Sequence, residues 1–302
     1  MINGKPIGRF ICIGTVTIDR SYRVSKVVDE GEAVNCCEFQ EAFGGKGLNQ
    51  VIALKRAGAQ PLFYTKVGKR DYDNLKKFFE EMGLCGVGIS PAEGHTNHGV
   101  IQITPQGRTA IIGVSNPEVS FTMEEMDGFV EELSAHDILI LQNEIDSIPY
   151  LMKAANAKGC TIVLNPSPLC ENMAEWPLEC VDILILNEME GQALSGKKNV
   201  EDILTVLTKR CGGGTVILTL GEEGSIYQRK KERIIQPRFQ VRAVDTIAAG
   251  DTFAGYFLAV YMETGSAVKA LSIAAKAAAI VVSRFGAAKI IPERAEVERI
   301  GL

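Results

Sequence analysis

An aspartate follows two alanines and a glycine in the run DTIAAGD at 245–251, where an apolar helical pattern begins. The first turn of a helix carries N–H groups without internal partners and the positive end of the helix dipole, so it attracts anions. Ala248, Ala249 and Gly250 have almost no side chain to hold a phosphate away from those N–H groups. Asp251 then stands beside the anion. A carboxylate there is poor for binding alone, but suits a base that takes the proton from a hydroxyl attacking phosphorus. A second reading stays open: an Asp in a first turn often only caps or decorates the helix. The other glycine-rich stretch, FGGKG at 43–47, is no P-loop, because Lys46 precedes Gly47 instead of Ser or Thr and the four-residue glycine spacing fails.

The elements that must position such a site are legible from residue 137 onward. DILILQ (137–142), CTIVLN (160–165), VDILILN (181–187) and GTVILTL (214–220) are near-continuous apolar runs separated by helical patterns. They predict a doubly wound α/β core, a mostly parallel sheet covered by helices on both faces. Ligands bind such sheets beyond the carboxyl ends of the strands, which directs attention to Glu144, Asn165, Asn187 with Glu190, and Gly221. Residues 15–43 and 95–114 read as extended strands, with PQGR (105–108) as hairpin punctuation, separated by helical patterns at 47–58 and 71–83. The expectation is one unit over 1–302, with a small β appendage placed as a lid beside the ligand crevice.

The chain has 302 residues, 46% hydrophobic and 23% charged, with a net charge of −5 and no run of lysines or arginines, which argues against nucleic acid as a partner. It has no uninterrupted apolar stretch of membrane-spanning length, and MINGKPIGRFICIGTVTIDR lacks a long apolar core and a small-residue cleavage site. The reading is a cytoplasmic protein without a membrane partner. Eight scattered cysteines form no C-x-x-C pair, and three histidines are too few to suggest a metal site, so the thiols read as reduced and mostly packed. Adjacent Cys36 and Cys37 would face opposite sides of a strand.

GGKGLNQ (44–50) with Gly58 and Gly68, NEME (187–190), TLGEEG (219–224) and DTIAAGDTFAG (245–255), in this order, resemble the PfkB/ribokinase family of carbohydrate kinases from about residue 8 to 292. The resemblance implies the ribokinase-like fold and ATP-dependent phosphorylation of a free sugar's primary hydroxyl, with ribose to ribose 5-phosphate as the leading case. Asp251 resembles the family's base, and the amides of Ala248, Ala249 and Gly250 its anion hole. Asp19, Gly45, Lys46, Asn49 and Glu144 match sugar-binding positions, and Thr219, Gly221 and Gly224 the nucleotide-binding segment. Asn187 and Glu190 match an N-x-x-E motif that helps hold Mg²⁺ and its waters; the same pair also reads as a helix-capping arrangement. Asp245 and Ile247, the latter through its carbonyl, match a loop that binds a monovalent cation such as K⁺. A homodimer through the lid is also implied.

Departures from the family pattern concentrate near the sugar and the cation. Thr17 replaces an asparagine beside Asp19, Ile290 a serine of the cation loop, Ala275 a polar residue near the adenine, and Val51 a small residue next to GGKGLNQ. His98 stands where the pattern has a small polar residue and reads as a solvent-exposed strand histidine or a substrate contact. The alternatives are another sugar kinase of the family (a fructokinase or ketodeoxygluconate kinase), a nucleoside kinase, and, from a different class, a non-catalytic sugar-binding protein on a kinase fold. A dehydrogenase is disfavoured because no G-x-G-x-x-G opens the helix after FICIG.

Overall fold

The apolar runs become the centre of a large sheet in the computed structural model, which describes residues 8–84, 87–106 and 108–301. Residues 1–7 of the N-terminal run, Cys85 and Gly107 of the PQGR turn lie outside the described residues. In chain order the strands are β1 (Phe10–Ile13), β2 (Thr17–Val24), β3 (Cys36–Gly44), β4 (Pro61–Gly68), β5 (Val87–Ala92), β6 (His98–Ile103) and β7 (Thr109–Val114). There follow β8 (Ile138–Gln142), β9 (Thr161–Asn165), β10 (Ile183–Asn187), β11 (Thr215–Thr219), β12 (Ser225–Arg229) and β13 (Glu232–Gln236). The helices are α1 (Lys46–Arg56), α2 (Tyr72–Glu81), α3 (Met123–Glu132), α4 (Ile148–Ala157), α5 (Glu188–Ser195), α6 (Val200–Arg210), α7 (Ala249–Thr264), α8 (Ala267–Val282) and α9 (Arg294–Arg299).

Nine strands pair in the order β13-β12-β11-β10-β9-β8-β1-β4-β5. Every neighbouring pair from β11 to β5 is parallel, and β12 and β13 add an antiparallel edge. Successive side chains of a strand point to opposite faces. Ile138 and Ile140 of β8 accordingly join one core with α1, α7 and α8, while Leu139 and Leu141 join the other with α4, α5 and α6. Burial on both faces is why these runs are apolar without alternation. This is the doubly wound, mostly parallel sheet expected. The hairpin of β12 and β13 was not anticipated; it turns at Lys230, whose φ is 52°.

A separate four-stranded sheet has the order β3-β2-β6-β7. Pairing sets Asp19 of β2 opposite Ala42 and Gly99, and Gly99 opposite Gly113, so one row on one face holds Asp19 among three small residues. Between Arg23 and Val24 the β2–β3 register slips, as in a β-bulge. Arg23 pairs with Glu38 and Val24 with Cys36, which leaves Cys37 as the extra residue, so the simple alternation expected for the two thiols is broken there. Both are exposed and free, as is Cys170, while Cys12, Cys160, Cys180 and Cys211 are buried. Val51 is fully buried in the core. Among the described residues no helix is long and apolar enough to cross a membrane.

Candidate active site

Two helix N-termini lie side by side at the site. At the first, Gly45 caps α1 with φ 104°, a region side chains avoid, and a Cβ there would lie 2.7 Å from the Thr15 carbonyl oxygen. Glu144, just beyond β8, holds this turn. Its Oε1 accepts the N–H of Lys46 at 2.9 Å, and its Oε2 accepts the N–H of Gly47 at 3.1 Å and the Thr15 hydroxyl at 3.0 Å. A carboxylate suits the positive end of α1. Burial pushes the Glu144 carboxyl above its ordinary value, and the two amides partly offset this.

The second is α7. Ala248 caps it in the left-handed region, φ 61°, which is strained for a residue other than glycine. The Ala249 N–H turns back to the Thr246 carbonyl at 3.3 Å. No acceptor among the described residues takes the N–H of Ala248, Gly250 or Asp251. The amides open to an anion are therefore those of Ala248, Gly250 and Asp251, a set that differs from the expected three by exchanging Ala249 for Asp251.

Asp251 is buried, 5% exposed, and makes no cap bond within its own helix. The donors come from α1. Asn49 Nδ2 donates to its Oδ2 at 3.1 Å and Gln50 Nε2 to its Oδ1 at 3.0 Å, with Lys46 Nζ 4.0 Å from Oδ1. Gln50 also donates to Asn165 Oδ1 at 3.1 Å and accepts from Gln142 Nε2 at 2.7 Å, so the ends of β8 and β9 set its orientation. Asn49 Oδ1, buried next to Asp251, has no partner. A buried acceptor without a donor is rare, and a hydroxyl-rich ligand would satisfy it.

Asp19 supplies a further carboxylate from β2. Burial pushes its carboxyl up, and the Thr17 hydroxyl, donating at 3.3 Å, works against that shift. Thr17, which departs from the family pattern, is thus the residue that holds Asp19. His98 pairs with Ile18 and lies on the sheet face opposite Asp19; its Nδ1 is 3.2 Å from the Thr96 carbonyl and its ring meets His95 edge-on.

On the other side of the α7 N-terminus lies a cleft of ≈ 480 Å³. Thr219, Gly221 and Gly224 from the end of β11 line it together with Ala249, Gly250 and Ala275. Gly224 has φ 93°, and a Cβ there would stand 2.2 Å from the Gln236 carbonyl oxygen, so only glycine lets the loop return into β12.

Asn187 and Glu190 form a reciprocal capping box on α5: Asn187 Oδ1 accepts the Glu190 N–H and Glu190 Oε2 accepts the Asn187 N–H, both at 2.9 Å. No donor among the described residues reaches Glu190 Oε1. Asp245 Oδ1 accepts the Ile247 N–H at 3.0 Å and Oδ2 the Gly286 N–H at 3.3 Å. The Ile290 carbonyl accepts from Arg284 Nη1 at 3.2 Å. Each of these oxygens accepts one bond from within the chain, whereas no donor among the described residues takes the Ile247 carbonyl, the oxygen expected to meet a monovalent cation.

The structure therefore gathers Asp251, Asn49, Lys46 and, through the turn it holds, Glu144 on one side of α7, and Thr219, Gly221 and Gly224 on the other. Sequence reasoning missed Thr15, Gln50 and Gln142. The available signal for Gln142 was a polar residue closing an otherwise apolar parallel strand.

Residues 9–294 match the pfkB family carbohydrate kinase profile. A ribokinase of Staphylococcus aureus (strain COL) is 30% identical over 311 residues, covering 97% of this chain and 99% of the relative. The crystal structure of a ribokinase from Thermotoga maritima superposes with a TM-score of 0.84 at 32% identity, over 96% of this chain and 98% of that one. The Arabidopsis thaliana ribokinase complexed with ribose and ATP gives 0.80 at 26% identity, over 97% and 98%. With the family profile spanning nearly the whole chain and the site at the carboxyl ends of its strands, the chain belongs to the pfkB family of carbohydrate kinases.

Proposed function

We propose that this chain transfers the γ-phosphoryl group of ATP to the primary hydroxyl of ribose, giving ribose 5-phosphate and ADP. The observation that carries this reading is the α7 N-terminal turn, whose Gly250 lines the cleft while the adjacent Asp251 carboxylate faces Asn49, Gln50 and Lys46. A nucleotide in the cleft and a polyol against α1 then meet at one helix end. Asp251 takes the hydroxyl proton as the oxygen bonds phosphorus, and the bond from phosphorus to the bridging oxygen of ADP breaks. The unpartnered N–H groups of Gly250 and Asp251 face the charge that develops on the transferring group. Magnesium, bound with the nucleotide, supplies neutralisation of phosphate charge, and Glu190 with Asn187 would hold its waters. No step uses a monovalent cation.

Asp19 with Thr17 engages the sugar hydroxyls from the small sheet, which acts as the lid. Phe39 and Ile112, exposed on its two edge strands on the face opposite Asp19, offer the surface for a homodimer. An ATP-consumption assay against a panel of pentoses, hexoses, keto-acids and nucleosides tests the substrate, with ribose expected to give the highest kcat/KM. Asp251→Asn is expected to bind ribose and ATP while losing turnover by about 10³-fold or more. Near-normal turnover in that variant, or none on any sugar by the native chain, overturns the reading.

A further inference from the structure

The cleft beside α7 has two unlike ends. Val244 and Asp245 donate their N–H groups to the Val282 carbonyl, at 2.8 and 3.2 Å, so the last turn of α8 lies against the loop that leads to the open amides. Ala275, Ala278, Ala279 and Val282, spaced i, i+3, i+4 and i+7, put one face of α8 on the cleft. At 1.5 Å per residue, Ala275 stands about 10 Å along the helix from Val282. Phe239 lines the cleft at that far level, since Nζ of Lys276, the residue after Ala275, lies 5.4 Å from its ring centre. A triphosphate that reaches the α7 turn therefore brings its base to the Phe239 ring and the alanine methyls.

Few side chains of the lining can read the edge of a base. The Thr219 hydroxyl donates to the Leu186 carbonyl at 3.3 Å, and Glu222 is paired with Arg238 at 3.0 Å. Ala275, which departs from the family pattern, adds a methyl and no hydrogen bond. Ser225 is the exception. It is 2% exposed, lines the cleft, and has no partner for its Oγ. Tyr227, two residues on, joins the core under α7 and α8 while Ile226 joins the other, so alternation turns Ser225 toward the cleft from the sheet. Its partner on β13, Gln236, leads within three residues to Phe239. A hydroxyl donates or accepts as its rotor turns. It can accept from the 6-amino group of adenine or donate to the 6-oxo group of guanine and hypoxanthine, and an aromatic ring stacks on any base.

We propose that the cleft selects its phosphoryl donor by stacking the base on Phe239 and by the Ser225 hydroxyl, so that GTP and ITP serve as donors beside ATP. The proposal rests on the sugar-kinase reading above. With GTP the chemistry is unchanged: the sugar oxygen bonds the γ-phosphorus, its proton goes to Asp251, and the bond from phosphorus to the bridging oxygen of GDP breaks. Strong discrimination needs a donor or acceptor fixed against one base edge, and a rotating hydroxyl is neither.

The test compares kcat/KM for ATP, GTP and ITP at saturating ribose, read as ribose 5-phosphate formed; the three should agree within about ten-fold. Phe239→Ala should lower all three by about ten-fold, the loss of one base–aromatic stack, and Phe239→Tyr should restore them. Ser225→Ala should lower all three by about three- to ten-fold, without lowering the melting temperature, because the hydroxyl it removes has no partner in the protein. The KM for ribose should not move in any variant. An ATP preference over GTP above ten-fold would assign base reading to the backbone of 241–243 and overturn the proposal, as would native values for every donor in Phe239→Ala or Ser225→Ala. Calorimetric binding of ADP and GDP, without sugar, reads the same ratio independently of turnover. If the native chain phosphorylates no sugar with any donor, the sugar-kinase reading falls, and the ratio of ADP to GDP affinity still decides the donor site.

Discussion

Gly255→Ala tests what aims Asp251. Gly255 lies one turn after Asp251 on α7, where the helix crosses α1. A Cβ at this position would stand 2.5 Å from Ala53 Cβ, 2.7 Å from the Gln50 carbonyl oxygen and 2.9 Å from Leu54 N. Carbon atoms rest at about 3.5–4.0 Å, so α7 must retreat from α1 by roughly 1 Å. Overpacking of this kind costs about 1–3 kcal/mol of stability. Residues four apart share a helix face, so Asp251 moves with Gly255. Its bonds from Asn49 and Gln50, now 3.1 and 3.0 Å, would stretch to about 4 Å, beyond hydrogen-bonding range. A displacement of that size at the reacting group costs about 10²-fold in rate. Gly128→Ala is the control: Gly128 is exposed on α3, and nothing lies within 4 Å of the added Cβ, so the change should stabilise by about 0.5–1 kcal/mol without affecting kcat. Denaturant unfolding and steady-state kinetics on both variants decide. If Gly255→Ala keeps native stability and kcat, the close helix crossing is not what positions the carboxylate.

Gly250→Ala should not lower the melting temperature, since nothing outside its own helix turn lies within 4 Å of the new methyl, yet lower kcat/KM for ATP by about ten-fold or more, because that methyl enters the cleft beside an open amide. Burial pushes the carboxyls of Asp19 and Glu144 above their ordinary values of 3.8 and 4.5, so both protonate early as pH falls. The acid limb of kcat/KM for the sugar should therefore lie above the ordinary carboxylate range, and Thr17→Val, which removes a hydroxyl that lowers Asp19, should move it further up; a limb that stays put in a pH–rate profile refutes this. The same shifts mean that the folded state binds more protons than the unfolded one, so these two groups favour folding below their ordinary values and lose that contribution as pH rises through their raised ones. Replacing K⁺ by tetramethylammonium should change turnover by less than about two-fold, since Arg284 occupies the Ile290 carbonyl and the isoleucine side chain offers no oxygen; strong activation by K⁺ would show that Asp245 and the Ile247 carbonyl suffice to bind it.

Much of the fold was legible because the central strands are buried on both faces, and such strands advertise themselves as uninterrupted apolar runs. The β12–β13 edge was not, because its outer strand is largely exposed and its turn uses Lys230 in a left-handed conformation instead of glycine. The candidate residues in the glycine-rich motifs were named from the family resemblance, and at the α7 turn also from local chemistry. Gln50, Gln142 and Thr15 were missed because their roles depend on partners about a hundred residues or more away in sequence: Gln142 and Asn165 for Gln50, and Glu144 for Thr15. No local pattern encodes such a pairing; only the sheet order brings them together.

Two stretches were ambiguous in the same way, each with an acidic residue in the first turn of a helix, and their hydrogen bonds differ. At Asn187 and Glu190 the side chains and backbone of one turn satisfy each other, so capping accounts for most of their hydrogen bonds. At Asp251 the helix has no side-chain cap at all. The carboxylate bonds to another helix, and its own amide and that of Gly250 stay open. A residue kept only to cap would have used those amides, since each lost cap costs about 1 kcal/mol. Leaving them unpaired, with Ala248 held in a strained conformation, makes physical sense when a ligand anion supplies the missing acceptors, and this difference, more than the presence of an aspartate, supports the proposal that chemistry occurs at the α7 turn.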